Sequence, residues 1–256
     1  MFGSLPIDIA ALVAAMYVLG PIAVHWTFRF AGHCQPNRLR LDELPTPIER
    51  LFRSKMSEIQ ELGFEMLGSY DCGALASNTR SYVAYFCDRR NNDFANISAV
   101  LTPRGAAGYI EFSTRFSNGQ WIETNTNRVL PLTPANPDVR VFRFPGIRDA
   151  RTLLHTHRQL LEKYAPGLWA QGEPRGEEIQ RLVRVIENYG PRHVRIGYMH
   201  PAEDGQSYKL TWKGAFLMTW RGLWPVSMIR KWTERYVMHS ELHALRTRDL
   251  TALQKA

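Results

Sequence analysis

Two pairs of histidines are the first residues whose type and spacing suggest chemistry. His155-Thr156-His157 looks like a pair of metal ligands. On a helix, however, positions i and i+2 point about 200° apart, so both rings cannot grip one ion. His239 and His243 have the better i, i+4 spacing, yet their stretch reads HSELH. It lacks the glutamate of HExxH, and the sequence supplies no obvious third ligand, so a solvated helix face is expected there. Cys34, Cys72 and Cys87 form an odd set without a CxxC pair. That argues against a disulfide framework and a zinc cage, and points to buried packing thiols in a reducing compartment. Cys72 and Cys87 are placed for neighbouring strands. No GxSxG elbow, GxxxxGK[ST] loop or GxGxxG turn occurs, so acyl-transfer, P-loop and dinucleotide chemistries lack their usual marks. The glycine-containing run 103–108 reads as a hairpin turn. Asn96-Ile97-Ser98 matches a glycan acceptor, which has no meaning on a cytoplasmic strand. No catalytic residue, metal ligand or cofactor is expected.

The elements that would carry any function begin with a hydrophobic stretch. Residues 9–28, IAALVAAMYVLGPIAVHWTF, include no formal charge. Twenty residues of helix match a hydrocarbon core of about 30 Å, so residues 1–30 read as a transmembrane anchor. Pro6 suits a first turn, Gly20-Pro21 a kink, and Trp26 and Phe28 an interfacial belt. No Lys or Arg precedes the run, whereas Arg29, Arg38 and Arg40 follow it. The positive-inside rule then places the N-terminus outside and the rest of the chain in the cytoplasm of a bacterial inner-membrane protein. A cleaved signal peptide would want a basic n-region, and a buried core helix would be shorter with a polar stripe.

Composition agrees with a folded chain. The 256 residues are 45% hydrophobic, 11% aromatic and 22% charged, which excludes disorder and collagen-like repetition. The net charge of +8 resembles a nucleic-acid signal only until it is divided. Residues 41–208 hold twenty bases against twenty acids, while 209–256 hold nine Lys or Arg against Glu234, Glu241 and Asp249. The excess sits at both ends, beside the apolar stretches, as in a protein lying on anionic lipid.

Residues 31–46 read as a linker and 47–165 as an α+β domain. Thr46-Pro47-Ile48-Glu49 starts a helix, with Thr46 as N-cap, and Ile48, Leu51, Phe52, Met56, Ile59 and Leu62 recur at helical spacing before Gly63. Five strands near 64–72, 80–88, 94–102, 108–116 and 120–127 follow, separated by turn residues. Asn118-Gly119 predicts a type I′ hairpin. The expected sheet is an antiparallel meander whose inward face carries Ile110 and Phe112 rather than Tyr109 and Glu111. A proline-rich loop over 130–145 leads to a helix near 148–164, so helices cover one face of the sheet.

Residues 166–256 read as a helical segment with a short hairpin: a helix at 177–188, strands at 194–199 and 207–211, and a tail helix from 232. Phe216, Trp220, Leu223 and Trp224 fall on one helical face, interrupted by Pro225. Too short to span, this stretch reads as an interfacial helix with Lys213, Arg221, Arg230 and Lys231 at headgroups. The run Tyr208-Lys209-Leu210-Thr211-Trp212-Lys213-Gly214 superficially resembles the end of a winged-helix DNA-binding domain, over about forty residues. No recognition helix precedes it, since Val183, Val185 and Ile186 alternate with Arg184 and Glu187 as in an ordinary amphipathic helix. Nucleic acid is therefore not an expected partner.

The fold class expected is α+β: an N-terminal transmembrane helix, a cytoplasmic domain with an antiparallel meander flanked by helices, and a helical C-terminal part. The expected function is that of a single-pass, membrane-anchored accessory or scaffold subunit, non-catalytic, bound to the bilayer and a membrane protein partner. The contact residues would be Trp26, Phe28, Arg29, Phe216, Trp220, Arg221, Leu223, Trp224, Arg230 and Lys231. The alternative is a membrane-tethered sensor or carrier holding a small or lipidic ligand between sheet and helices.

Overall fold

The computed structural model describes residues 5–253, with side chains for residues 14–245 and 247. In chain order the elements are α1 (Leu5–Thr27), β1 (Arg29–Ala31), β2 (Asn37–Leu39), a 3-10 turn, α2 (Thr46–Glu61), β3 (Glu65–Asp71), β4 (Arg80–Asp88), β5 (Asp93–Thr102), β6 (Gly105–Arg115), β7 (Trp121–Asn125), β8 (Val139–Arg143), α3 (Ala150–Tyr164), α4 (Glu178–Glu187), α5 (Tyr189–Arg195), β9 (Met199–Pro201), β10 (Ser207–Leu210), α6 (Trp212–Gly222) and α7 (Val226–Leu253). The molecule is α+β, built on a seven-stranded sheet in the order β2-β3-β4-β5-β6-β7-β8 and a three-stranded sheet in the order β1-β10-β9. The expected anchor begins outside the described residues, and the expected end of the tail segment at Ala256 lies outside them too. Among the described residues no helix is long and apolar enough to cross a membrane. The apolar run of residues 9–28 enters the described side chains only at Ala14.

The five strands expected from alternation form the antiparallel centre of the large sheet, β3 to β7. Two strands extend it beyond the meander. β2 lies inside the expected linker and pairs antiparallel with β3, while β8 lies inside the expected proline-rich loop and runs parallel to β7. The sheet is therefore mixed. Three residues are too few to show a period, and the VRVFR alternation of β8 is flanked by Pro131, Pro134, Pro137 and Pro145, which dominate the local pattern without entering the strand. The expected strand at 194–199 is also corrected: α5 takes its first two residues, leaving β9 at Met199–Pro201.

Ile110 and Phe112 do face the main core, against Ile48, Phe52 and Ile59 of α2 and Leu153 and Leu160 of α3. Helices cover both faces, however. α4 lays Ile179, Leu182 and Ile186 over Val83, Tyr85, Cys87 and Phe94 on the opposite side. The physical reason is visible in β4, where YVAYFC is apolar on both faces, as in a strand buried from two sides. Cys34, Cys72 and Cys87 are free and buried, all three in this second core.

Local turn chemistry departs from expectation twice. Pro45, not Thr46, is the N-cap of α2, so no side chain caps it, and Pro47 sits in the first turn. At the β6–β7 hairpin the amide of Gly119 donates to the Phe116 carbonyl at 2.9 Å and only Gly119, at φ +85°, is left-handed. Ser117-Asn118 thus form the centre of an ordinary turn with a glycine bulge behind it, rather than the I′ turn, which needs positive φ at both central residues. Asn118 Oδ1 instead accepts from the Gln120 amide at 3.0 Å.

Candidate functional site

The site expected from sequence is a surface, and its scaffold is an antiparallel helix pair. α6 packs along the second half of α1, with Tyr17 edge-on to Trp220 at 5.3 Å and His25 stacked on Trp212 at 4.0 Å. The two backbones approach closely because Gly20 has no side chain: a Cβ there would lie 2.8 Å from Thr219 Cγ2. The Tyr17 hydroxyl donates to the Trp224 carbonyl, just past the end of α6. Thr211 caps the start of α6, its side chain accepting from the Gly214 amide at 3.0 Å. Beneath the pair, Phe28 joins Met199, Leu210 and Met218 in a small core over the β1-β10-β9 sheet. That sheet unites the two ends of the chain, since β1 directly follows α1 and pairs with β10.

The outer face of this corner is aromatic and exposed. Trp26 is 67% exposed and Trp224 63%, and between them lie Trp212, Phe216 and Trp220, with Val18, Leu19 and Ile22 alongside on α1. Phe216 stacks on Trp220 at 6.4 Å, so the patch is continuous along α6. Exposed Ile229, Trp232 and Tyr236 extend it along α7 at helical spacing. Soluble monomers rarely leave an apolar surface of this extent uncovered.

The structure brings together Trp26, Phe216, Trp220 and Trp224, while Lys231 is exposed on α7 at a cleft it shares with Arg143 and Glu234. Other expected contact residues are used differently. α6 stops at Gly222, so Leu223 is its half-buried C-cap and not part of the helical stripe. Phe28 packs inward, and Arg29 Nη1 donates to the Trp26 and Phe28 carbonyls at 3.1 and 2.9 Å, closing the end of α1. Arg221 donates to the Leu132 carbonyl at 3.3 Å and Arg230 to the Pro131 carbonyl at 2.7 Å, fastening the proline-rich loop to the helices. Lys213 Nζ reaches the Ile196 carbonyl at 3.3 Å.

The histidines follow a similar sorting. His239 and His243 are exposed on α7, and among the described residues no group of three His, Cys, Asp or Glu is placed to hold a metal ion. His157 is fully buried at the centre of a polar chain that sequence reading missed. Its Nδ1 lies 2.9 Å from Thr124 Oγ1 and its Nε2 2.9 Å from Thr114 Oγ1, and the Thr114 hydroxyl donates to Asp93. Burial, followed by the Arg158 charge, lowers the His157 pKa to about 3, and burial raises that of Asp93 to about 6. A neutral His157 protonated on Nε2 satisfies every member: Thr124 donates to Nδ1, and Nε2–H donates to Thr114. Closed off from solvent, this chain ties α3 to the sheet. The usable signal would have been a histidine on the apolar face of α3.

Comparison with known proteins adds no assignment: no family model matches the chain, and neither the curated proteins nor the solved structures contain a match.

Proposed function

We propose that the chain is a non-catalytic, membrane-anchored accessory subunit, held at the bilayer by α1, α6 and the start of α7, with its α+β domain on the cytoplasmic side and a membrane protein as partner. The observation that carries this reading is the continuous exposed patch of Trp26, Trp212, Phe216, Trp220 and Trp224 on two helices packed as one unit. Indole and phenyl side chains are favoured at the headgroup level, where one edge stays wet. The apolar run of residues 9–28 and the basic excess of residues 209–256 favour the same anionic surface. An anchor over residues 1–30 would carry α6, packed antiparallel along its second half, into the same leaflet, and at eleven residues, about 16 Å, α6 is too short to span.

Vesicle flotation tests this. The full chain, reconstituted from mild detergent with phosphatidylethanolamine and phosphatidylglycerol, should float and resist carbonate and high-salt extraction. A Phe216→Ser/Trp220→Ser/Trp224→Ser variant should keep its circular dichroism spectrum yet lose the protection of its remaining tryptophans from aqueous quencher. Full recovery of the unsubstituted protein in the aqueous fraction would sink the proposal.

A further inference from the structure

A second site lies on the opposite side of the sheet from α2 and α3. There β6, β7 and β8, helices α4 and α5 and the loop over residues 131–138 enclose a cleft of about 750 Å³, a size that suits a small organic ligand. Six arginines line it: Arg115 at the end of β6, Arg143 at the end of β8, Arg181 and Arg184 on α4, and Arg192 and Arg195 on α5. The lining carboxylates are Glu123 and Asp138, so the walls carry a formal excess of positive charge.

Several of these arginines are engaged. Arg184 pairs with Glu173 at 2.9 Å and Arg115 approaches the same carboxylate at 3.9 Å, while Arg143 pairs with Glu234 at 3.1 Å. Arg192 donates from Nη2 to the Pro134 carbonyl at 3.2 Å. Arg181 is different. It is 2% exposed, its guanidinium carbon lies 4.0 Å from the Phe94 ring centre and 4.5 Å from that of Trp121, and none of its three nitrogens has a hydrogen-bond partner. The Nε of Arg192 and the indole nitrogen of Trp121 are likewise buried and unpartnered.

Every unsatisfied atom around this cleft is a donor. A buried polar group without a partner is costly, and a buried guanidinium especially so, since it keeps its proton in a protein. Neither lining carboxylate, Glu123 nor Asp138, makes a hydrogen bond to it; burial, and then the neighbouring Glu111, push the Glu123 pKa well above the ordinary carboxylate range, against the opposing pull of Arg143 and Arg181. A carboxylate ligand offers two oxygens and a single charge. A tetrahedral phosphate offers three or four oxygens and a charge of about two, and so more acceptor positions for the guanidinium fork, the second arginine and the indole.

We propose that this cleft binds a small phosphate-bearing anion, a phosphate or pyrophosphate ester, with Arg181 as its central ligand and Trp121, Arg192 and Arg195 closing around it. The aromatic sandwich holds the Arg181 plane fixed, so the fork is already oriented before the anion arrives. This site is separate from the aromatic surface, and its occupancy does not depend on the membrane reading.

Titration calorimetry of the full chain in mild detergent tests the proposal with three probes: sodium pyrophosphate, inorganic phosphate and dihexanoyl phosphatidic acid kept below its micelle concentration. The expected result is saturable one-to-one binding that weakens with added salt. Arg195→Ala, at an exposed position that leaves the fold intact, should weaken it by about tenfold, the loss of one charge-assisted contact. Arg181→Met should abolish binding while melting no lower than the unsubstituted protein without ligand, because it removes an unpaired buried charge. That melting behaviour separates a ligand role from a packing role, which predicts a lower melting temperature. Binding of pyrophosphate or phosphate assigns the site to a free phosphate ester, and binding of the lipid probe alone assigns it to a headgroup. No saturable binding of any probe, or binding unchanged in both variants, overturns the proposal.

Discussion

Asp93 gives the fold a pH dependence of defined sign. It opens β5 only 2% exposed, and burial raises its pKa from 3.8 to about 6. The folded state therefore keeps this proton to higher pH than the unfolded chain does. Stability is lost as pH rises from 3.8 through about 6 and is level above that. At 1.36 kcal/mol per pKa unit the full loss is about 3 kcal/mol, of which about 2 kcal/mol falls between about pH 4.5 and 7.5. Asp93→Asn cannot titrate, so it should lack this component. The assay is urea unfolding of both proteins in mild detergent, followed by far-ultraviolet circular dichroism across that range. Any constant cost of the substitution shifts the variant curve vertically, and only the change in the gap matters. The gap should move in favour of Asp93→Asn by about 2 kcal/mol from the acid to the neutral end. A gap constant within about 0.5 kcal/mol, or one moving the other way, would refute the argument that burial outweighs the Thr114 hydrogen bond and the Arg158 charge at this carboxylate.

Three other variants test the packing. His157→Leu should cost about 2–4 kcal/mol by urea unfolding, because it strands the buried Thr114 and Thr124 hydroxyls that the imidazole now joins. With His157 held near a pKa of about 3 against an ordinary 6.5, the unfolded chain takes up the proton first. The same variant should therefore lose the acid-side destabilisation that grows as pH falls from 6.5 toward 3. Phe52→Ala, fully buried under the sheet, should lower stability by about 3–5 kcal/mol without changing the fold seen by circular dichroism. Gly214→Ala would place a Cβ 2.0 Å from the Tyr198 carbonyl oxygen, part of the backbone and unable to rotate away. It should detach α6 from the small sheet, read as increased accessibility of Trp212 and Trp220 to quencher.

Much of the architecture was legible because it rests on long periodic segments. β3 to β7, α2 and α3 lie within a few residues of where alternation and helical spacing put them. What escaped has physical causes. β2 is too short for a period, β8 hides among prolines, and the double coverage of the sheet shows only in β4, a strand without a polar face. The aromatic patch was visible in the spacing of Phe216, Trp220 and Trp224, but the inward turn of Arg221 and Arg230 depends on carbonyls of a loop some ninety residues earlier in the chain. The arginine cleft left almost no trace, since its arginines come from four elements scattered between 115 and 195. Its one local sign is Arg181 on the buried side of α4, beside Leu182, where an amphipathic helix ordinarily keeps apolar residues.

The ends of the large sheet decide how this protein can meet others. β2 offers only three residues, including Arg38, and β8 only five, with Arg140 and Arg143 among them. Short, charged borders make poor templates for a further strand, and natural sheets use both devices against runaway pairing. Fibrillar stacking and donor-strand exchange are thereby disfavoured. A contact with another chain would fall to the helices, where it could form and separate without unravelling the sheet.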